Sequence, residues 1–151
     1  CQRVFSFIKN NCDNKILKSQ KISKTDKDLF ERTKKLTKHL RSDMDKQNLN
    51  SYIKSVIDIS FLTNKYINDE QPWKVKNTDT KKMNNILHLS LEQIAKISLL
   101  LNPIIPKATS KVLKALNLDI KSLNLSFIDG DKILNDEVEV NNLEILFKRT
   151  V

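Results

Sequence analysis

The stretch Asn64-Lys65-Tyr66-Ile67-Asn68-Asp69-Glu70-Gln71-Pro72-Trp73-Lys74 decides how this chain is read. It closes a long amphipathic segment and carries the sole tryptophan of the sequence, directly after a proline. A proline fixes its own φ and disfavours helix in the residue before it. The stretch therefore predicts a helix that ends near Asn68, followed by a loop over 71–78 that holds Trp73. Two uses of the indole are open at this point. It can fold back as a lid on a helical core, since large aromatics supply much burial. It can also stand among basic residues as a flat platform for an unpaired nucleotide base.

Apolar spacing on either side extends the helical reading. Asn48 or Asn50 caps a helix that reaches Asn68, with Leu49, Tyr52, Ile53, Val56 and Ile57 on one stripe and Phe61 and Leu62 widening it. After the loop, Thr78 or Asp79 caps a helix over 79–102. Its Met83, Ile86, Leu87, Ser90, Leu91, Ile94, Ile97 and Leu101 give the broad apolar face of a central bundle helix. Asn102-Pro103-Ile104-Ile105-Pro106 breaks that helix and starts another, with Pro106 suited to a first turn and Ala108, Val112, Leu113 and Leu116 inward. Toward the N-terminus, Cys1, Val4, Phe5, Ile8 and Cys12 make one face of a helix over 1–12, with Arg3 off that face. A polar connection over 13–24 follows, with Ile16, Leu17 and Ile22 as weak anchors. A second helix over 26–45 starts at Thr25 with Asp28. Its stripe is Leu29, Leu36, Leu40 and Met44, with His39 on the same face; Lys27, Lys34, Lys35, Lys38 and Arg41 form a solvated face. Beyond the fifth helix we expect a short helical turn over 119–125 and a turn at Asp129-Gly130. The tail over 137–151 should cross the bundle as an extended strap and not as part of a sheet. The expected fold is a single all-α domain over 1–151, a bundle of about five helices.

Composition agrees and sets limits. The 151 residues include one Gly and three Pro, with 39% hydrophobic and 30% charged side chains, which favours long helices over a sandwich or barrel. The formal net charge of +9 invites an anionic partner. Only Arg3, Arg32, Arg41 and Arg149 among the basic residues are arginines, and the abundant Lys, Asn and Ile are all spelled by A- and T-rich codons. The charge permits RNA binding without establishing it. No apolar run has the ~18 residues of a membrane span, and no signal peptide opens the chain, so a cytoplasmic protein without a membrane partner is expected. Cys1 and Cys12 have no zinc-ligand spacing and read as small core residues. His39 and His88 lack partners, His88 as a bystander on the edge of its helix, and one glycine excludes the usual phosphate loop. No catalytic or metal-ligating constellation emerges, which argues for a binding module. The sequence opens in a helix-patterned segment without an initiator Met, and we expect a piece of a longer polypeptide.

The order of features carries a resemblance. Gln2-Arg3-Val4-Phe5-Ser6-Phe7-Ile8 opens a helix; Asn64-Lys65-Tyr66-Ile67 precedes Pro72-Trp73; a long helix ends in Leu99-Leu100-Leu101-Asn102-Pro103-Ile104-Ile105-Pro106; Ile145-Leu146-Phe147-Lys148-Arg149 comes last. This succession resembles the anticodon-binding domain of methionyl-tRNA synthetases over nearly the whole chain. The resemblance implies a helical bundle appended to a class I catalytic domain. The parent enzyme would ligate methionine to its tRNA with ATP and Mg, and this piece would be non-catalytic and without a cofactor of its own. The implied partner is the anticodon loop of the methionine tRNA, not DNA. In that family a tryptophan stacks at the anticodon, while an arginine and an asparagine on the first bundle helix read its first base. The tryptophan matches Trp73 and the arginine matches Arg3; the asparagine, four residues earlier, would fall before Cys1. The family's lysine four residues after the tryptophan is Asn77 here, with Lys74 and Lys76 close by as candidate phosphate contacts. Lys148 stands where the family's final motif has proline, and neither Asn77 nor Arg149 is assigned a contact. Lys21-Ile22-Ser23-Lys24-Thr25 resembles the K-M-S-K-S loop of class I synthetases, but nothing around it supplies that loop's context, and we give it no nucleotide role.

The physics suits the implied residues. Bases of a single-stranded loop can be splayed out, stacked on an aromatic and read along their edges. Trp73 would supply affinity, Arg3 choice, and the lysines salt-dependent attraction. Two other readings stand beside this one: the equivalent domain of another class I synthetase, such as those for leucine, isoleucine, valine or cysteine, and a helical protein-interaction scaffold with Trp73 buried.

Overall fold

The computed structural model describes residues 1–18, 21–122, 126 and 132–147. In chain order its helices are α1 (Gln2–Asn11), α2 (Lys24–Thr37), α3 (Leu40–Asp45), α4 (Leu49–Glu70), α5 (Pro72–Val75), α6 (Thr80–Leu101) and α7 (Pro106–Ala115). A 3₁₀ turn spans Ile120–Ser122, and two short strands, β1 (Lys15–Leu17) and β2 (Glu137–Glu139), complete the order. The expected helical bundle is the fold, with α1, α2, α4, α6 and α7 as its longer members.

Helix α6 is the axis. Asp79 starts it by accepting the Lys82 N–H at 2.8 Å, which satisfies one of the free donors of a helix start. From Met83 to Leu100 it is buried on nearly every side. One apolar cluster gathers Val4, Phe5 and Ile8 of α1, Ile16, Leu29, Tyr66 and Ile67 around its first half. A second gathers Leu40, Tyr52, Val56, Ile59 and Leu113 around Leu99 and Leu100. Each fully buried aliphatic side chain contributes about 1.5–3 kcal/mol. No helix of the described residues is long and apolar enough to cross a membrane.

Several expectations are corrected. The second helix begins at Ser23, whose side chain and Asp26 form a reciprocal capping box; Thr25 turns its hydroxyl to Glu70 at 2.7 Å. That helix also breaks at Lys38–His39 into α2 and α3. The Thr37 hydroxyl bonds the Lys34 carbonyl at 3.1 Å and competes with the backbone ladder, and the break lets Leu40 enter the core fully buried while His39 and Met44 stay exposed. On α4 the buried face is Tyr52, Val56, Ile59, Thr63, Tyr66 and Ile67, which leaves Phe61 at 66% exposure and Ile57 at the surface. Cys1 is exposed and so is not a core residue, whereas Cys12 is half-buried and packs against the core at its edge. The connection after α1 and the strap do pair: Lys15, Ile16 and Leu17 face Glu139, Val138 and Glu137 in an antiparallel ladder, with Ile16 and Val138 buried. The turn at Asp129-Gly130 lies outside the described residues, as do Lys148 and Arg149; the expected helical turn is described only over Ile120–Ser122.

Buried polar groups of α6 hold the segment that leads into the strap. Glu92, 3% exposed, accepts the N–H groups of Ile133 and Leu134 at 2.8 and 2.9 Å and pairs with Lys96 at 3.7 Å. His88 is no bystander: it is buried, and its Nε2 meets the Asn135 carbonyl at 2.7 Å. The carbonyl can only accept, so Nε2 carries the proton, and Nδ1 is left buried without a partner. Burial holds the His88 pKa below its ordinary 6.5. The folded state therefore refuses a proton that the unfolded chain takes up below that value, and stability falls as the pH drops through 6.5 until the folded pKa is passed. Urea unfolding between pH 7 and 5 should show this slope, at most about 1.4 kcal/mol per pH unit. The variant His88→Gln should lose that component of the slope.

Candidate nucleic-acid interface

The end of α4 sets the position of the indole. Gln71 terminates the helix in the left-handed region (φ 46°, ψ 65°), with its N–H on the Ile67 carbonyl at 3.0 Å. A side chain with a Cβ gives up about 1 kcal/mol there, and the following proline then opens the new turn, its fixed φ suiting a first helical position. Pro72 is buried, and Trp73 stands on the short helix α5, not in an irregular loop. Beneath this corner, Tyr66 and Ile67 are buried in the last turns of α4. The Tyr66 hydroxyl donates to Asp26 at 2.7 Å; burial first, and that carboxylate second, push its pKa far above the usual phenol value.

Helix α1 brings Arg3 to the same place. Val4, Phe5 and Ile8 face the core, which leaves Arg3 outward. Its Cζ lies 5.0 Å from the centroid of the Trp73 ring, and its Nη2 donates to Asn68 Oδ1 at 2.7 Å. Two residues seventy positions apart thus form one surface element. Trp73 is 39% exposed, which does not fit the lid reading; the guanidinium partly covers it and leaves the rest to solvent. The guanidinium has five N–H donors in a rigid fork, so holding Asn68 leaves others available. Asn68 is the residue that sequence reasoning missed, although it lies within the quoted stretch. The signal was in the periodicity: with Tyr66 and Ile67 inward, Asn68 falls on the outer side of the helix, one turn before the tryptophan.

The flanking candidates are less fixed. Lys76 reaches back to Asn11 Oδ1 at 2.9 Å, so it also ties α5 to α1. Lys74 and Asn77 are exposed. Among the described residues no group of three or more His, Cys, Asp or Glu side chains is placed to hold a metal ion.

Comparison with known proteins gives the family of the chain. The family model of the anticodon binding domain of methionyl tRNA ligase matches residues 16–150. The chain belongs to this family. Curated relatives carry the same name: it is similar to the methionine–tRNA ligase of Rickettsia typhi, 32% identical over 76% of this chain and 23% of that protein. The methionine–tRNA ligase of Rickettsia prowazekii is 27% identical over 97% of this chain and 30% of that protein. Among solved structures, methionyl-tRNA synthetase of Mycobacterium tuberculosis bound by methionyl-adenylate superposes with a TM-score of 0.87 over 97% of this chain, at 19% identity and 30% of its own length. The last likeness shows the shared fold. The chain thus spans roughly a quarter of the length of the relatives it matches, 22% in Brucella suis and 30% in Rickettsia prowazekii.

In this anticodon-binding fold the Arg3–Trp73 contact predicts a spectroscopic outcome. Arg3→Ala should move the Trp73 emission to longer wavelength and raise its quenching by acrylamide, with a stability loss near the ~0.5–1 kcal/mol of an exposed cation–π pair. An unchanged spectrum would show that the guanidinium does not rest on the ring in solution.

Proposed function

We propose that the Arg3–Asn68–Trp73 surface receives the unpaired anticodon loop of the methionine tRNA. The protein containing it would act in the cytoplasm as a methionine–tRNA ligase, joining methionine to that tRNA with ATP and Mg through chemistry outside this chain. The observation that supports this reading is the meeting of a partly exposed tryptophan with an arginine held from two sides, at 5.0 Å and 2.7 Å.

Each residue has a distinct part. An unpaired base stacks on the open surface of the Trp73 indole, which favours any base because every base has a π-face. Choice among bases comes from hydrogen bonds along their edges. The N–H donors of Arg3 that do not face Asn68 can address the acceptors of a cytosine placed beside the indole. Asn68 positions them: its amide oxygen fixes one end of the fork, which reduces the freedom the arginine would otherwise lose on binding. Lys74 and Lys76 lie where the loop's phosphates pass and add attraction without selecting sequence.

Binding of an anticodon stem-loop at fixed salt tests these roles. Trp73→Ala should weaken affinity by about 1–3 kcal/mol, roughly five- to 150-fold, with unchanged helical circular dichroism. Arg3→Ala should narrow the gap between the cognate loop and one with a changed first base, and Asn68→Ala should narrow it less. Lys74→Ala should weaken all loops equally and lower the salt slope by about one. A Trp73→Ala protein that unfolds would instead make the indole a structural residue of a scaffold.

A further inference from the structure

The outer face of α4 runs on from the recognition surface. At about 100° per residue, Lys54, Phe61, Lys65 and Asn68 fall within about 60° of one another around the helix axis, and all four are exposed. Phe61 precedes Asn68 by seven residues, which places it two turns down the same line and about 10.5 Å along the axis. Asn68 is the residue that holds Arg3 at 2.7 Å. The ring of Phe61 is therefore in line with the Arg3–Asn68–Trp73 surface, on the same side of the bundle.

This ring has no use in the core. Phe61 is 66% exposed, while the buried face of α4 passes through Ile59, Thr63, Tyr66 and Ile67. Apolar side chains scattered singly over a surface are ordinary, but Phe61 has company. Ile57, one turn below it, is 43% exposed. Lys65 stands one turn above the ring and Lys54 two turns below it. Neither ammonium meets a partner among the described residues. The carboxylates one turn from them on the helix, Asp58 from Lys54 and Asp69 from Lys65, form no ion pair with them there.

A flat ring bracketed by two uncommitted ammoniums suits a nucleotide: the ring takes the face of a base, and the ammoniums attract the phosphates on either side. A protein partner would call for a broader apolar face than the pair Ile57 and Phe61. We propose that Phe61 is a second stacking platform, for a nucleotide of the same RNA loop beyond the one that rests on Trp73, with Lys54 and Lys65 at its flanking phosphates. The offset of about 10.5 Å from Asn68 corresponds to about three stacked steps of a strand at ~3.4 Å each, which lies within one loop. The inference rests on the reading of Trp73 given above.

The variants Phe61→Ala, Phe61→Leu and Phe61→Tyr of the full chain, titrated with the anticodon stem-loop of the methionine tRNA at fixed salt, test this. The position is exposed, so helical circular dichroism should stay unchanged in all three. Ala and Leu should weaken binding roughly five- to 150-fold, and Tyr, which keeps the ring, should bind as the wild type does. Lys65→Gln should lower the salt slope by about 0.7. An abasic nucleotide at one loop position should weaken the wild type by the same factor and change Phe61→Ala little, which identifies the stacked base. If Leu binds as well as Phe while Ala does not, the contact is apolar packing and the platform is overturned. If all three bind as the wild type while Trp73→Ala is weakened, Phe61 touches no base and the Trp73 reading stands; a lower sedimentation coefficient of Phe61→Ala would then assign the ring to a second copy of the chain. If binding depends on neither Trp73 nor Phe61, both readings are overturned.

Discussion

The buried carboxylate of Asp26 is the point on which the functional end of the molecule depends. It is 2% exposed and accepts from Tyr66 of α4, Asn85 of α6 and the Ser23 backbone at the start of α2. Three helices that are distant in sequence are thereby fixed at one spot. A buried charge is tolerable only when its hydrogen bonds are met, so this arrangement either forms whole or fails. With it in place, the last turns of α4 have one position, and with them the left-handed Gln71, the buried Pro72 and the exposed Trp73.

From that anchor the recognition surface follows in short steps. The inward face of α4 carries Tyr66 and Ile67, which turns Asn68 outward. Helix α1 packs its own apolar face on the core and presents Arg3 to Asn68 and the indole. The guanidinium is held before any ligand arrives, by an amide oxygen at one end and a ring face below it. Such preorganisation lowers the cost of binding and suits a residue whose task is to distinguish bases.

Much of this was legible in the sequence, and the remainder was hidden for definable reasons. The 3.6-residue spacing of α6, its Asp79 cap and the Pro106 start of α7 are local signals, and they appear where expected. Arg3 and Trp73 became a pair through the order of features along the chain, since no local pattern links residues seventy positions apart. The break before Leu40 is set by a partner surface on α4 and α6, which periodicity within α2 does not reveal. Glu92 is of a type that usually sits at the surface, and His88 of one with no strong preference; they are buried because the segment leading into the strap supplies donors and an acceptor from forty or more positions away. The pairing of β1 with β2 is of the same kind, three residues on each side with register set by Ile16 and Val138.

The central claim is that an RNA base reaches the Trp73 ring. As the only tryptophan, it reports directly on its own occupancy. The decisive measurement is a fluorescence titration of the folded chain with the anticodon stem-loop of the methionine tRNA at low salt. The account predicts saturable quenching that weakens when the first anticodon base is changed and declines as salt is raised. A flat titration, with circular dichroism showing the bundle intact, would contradict it.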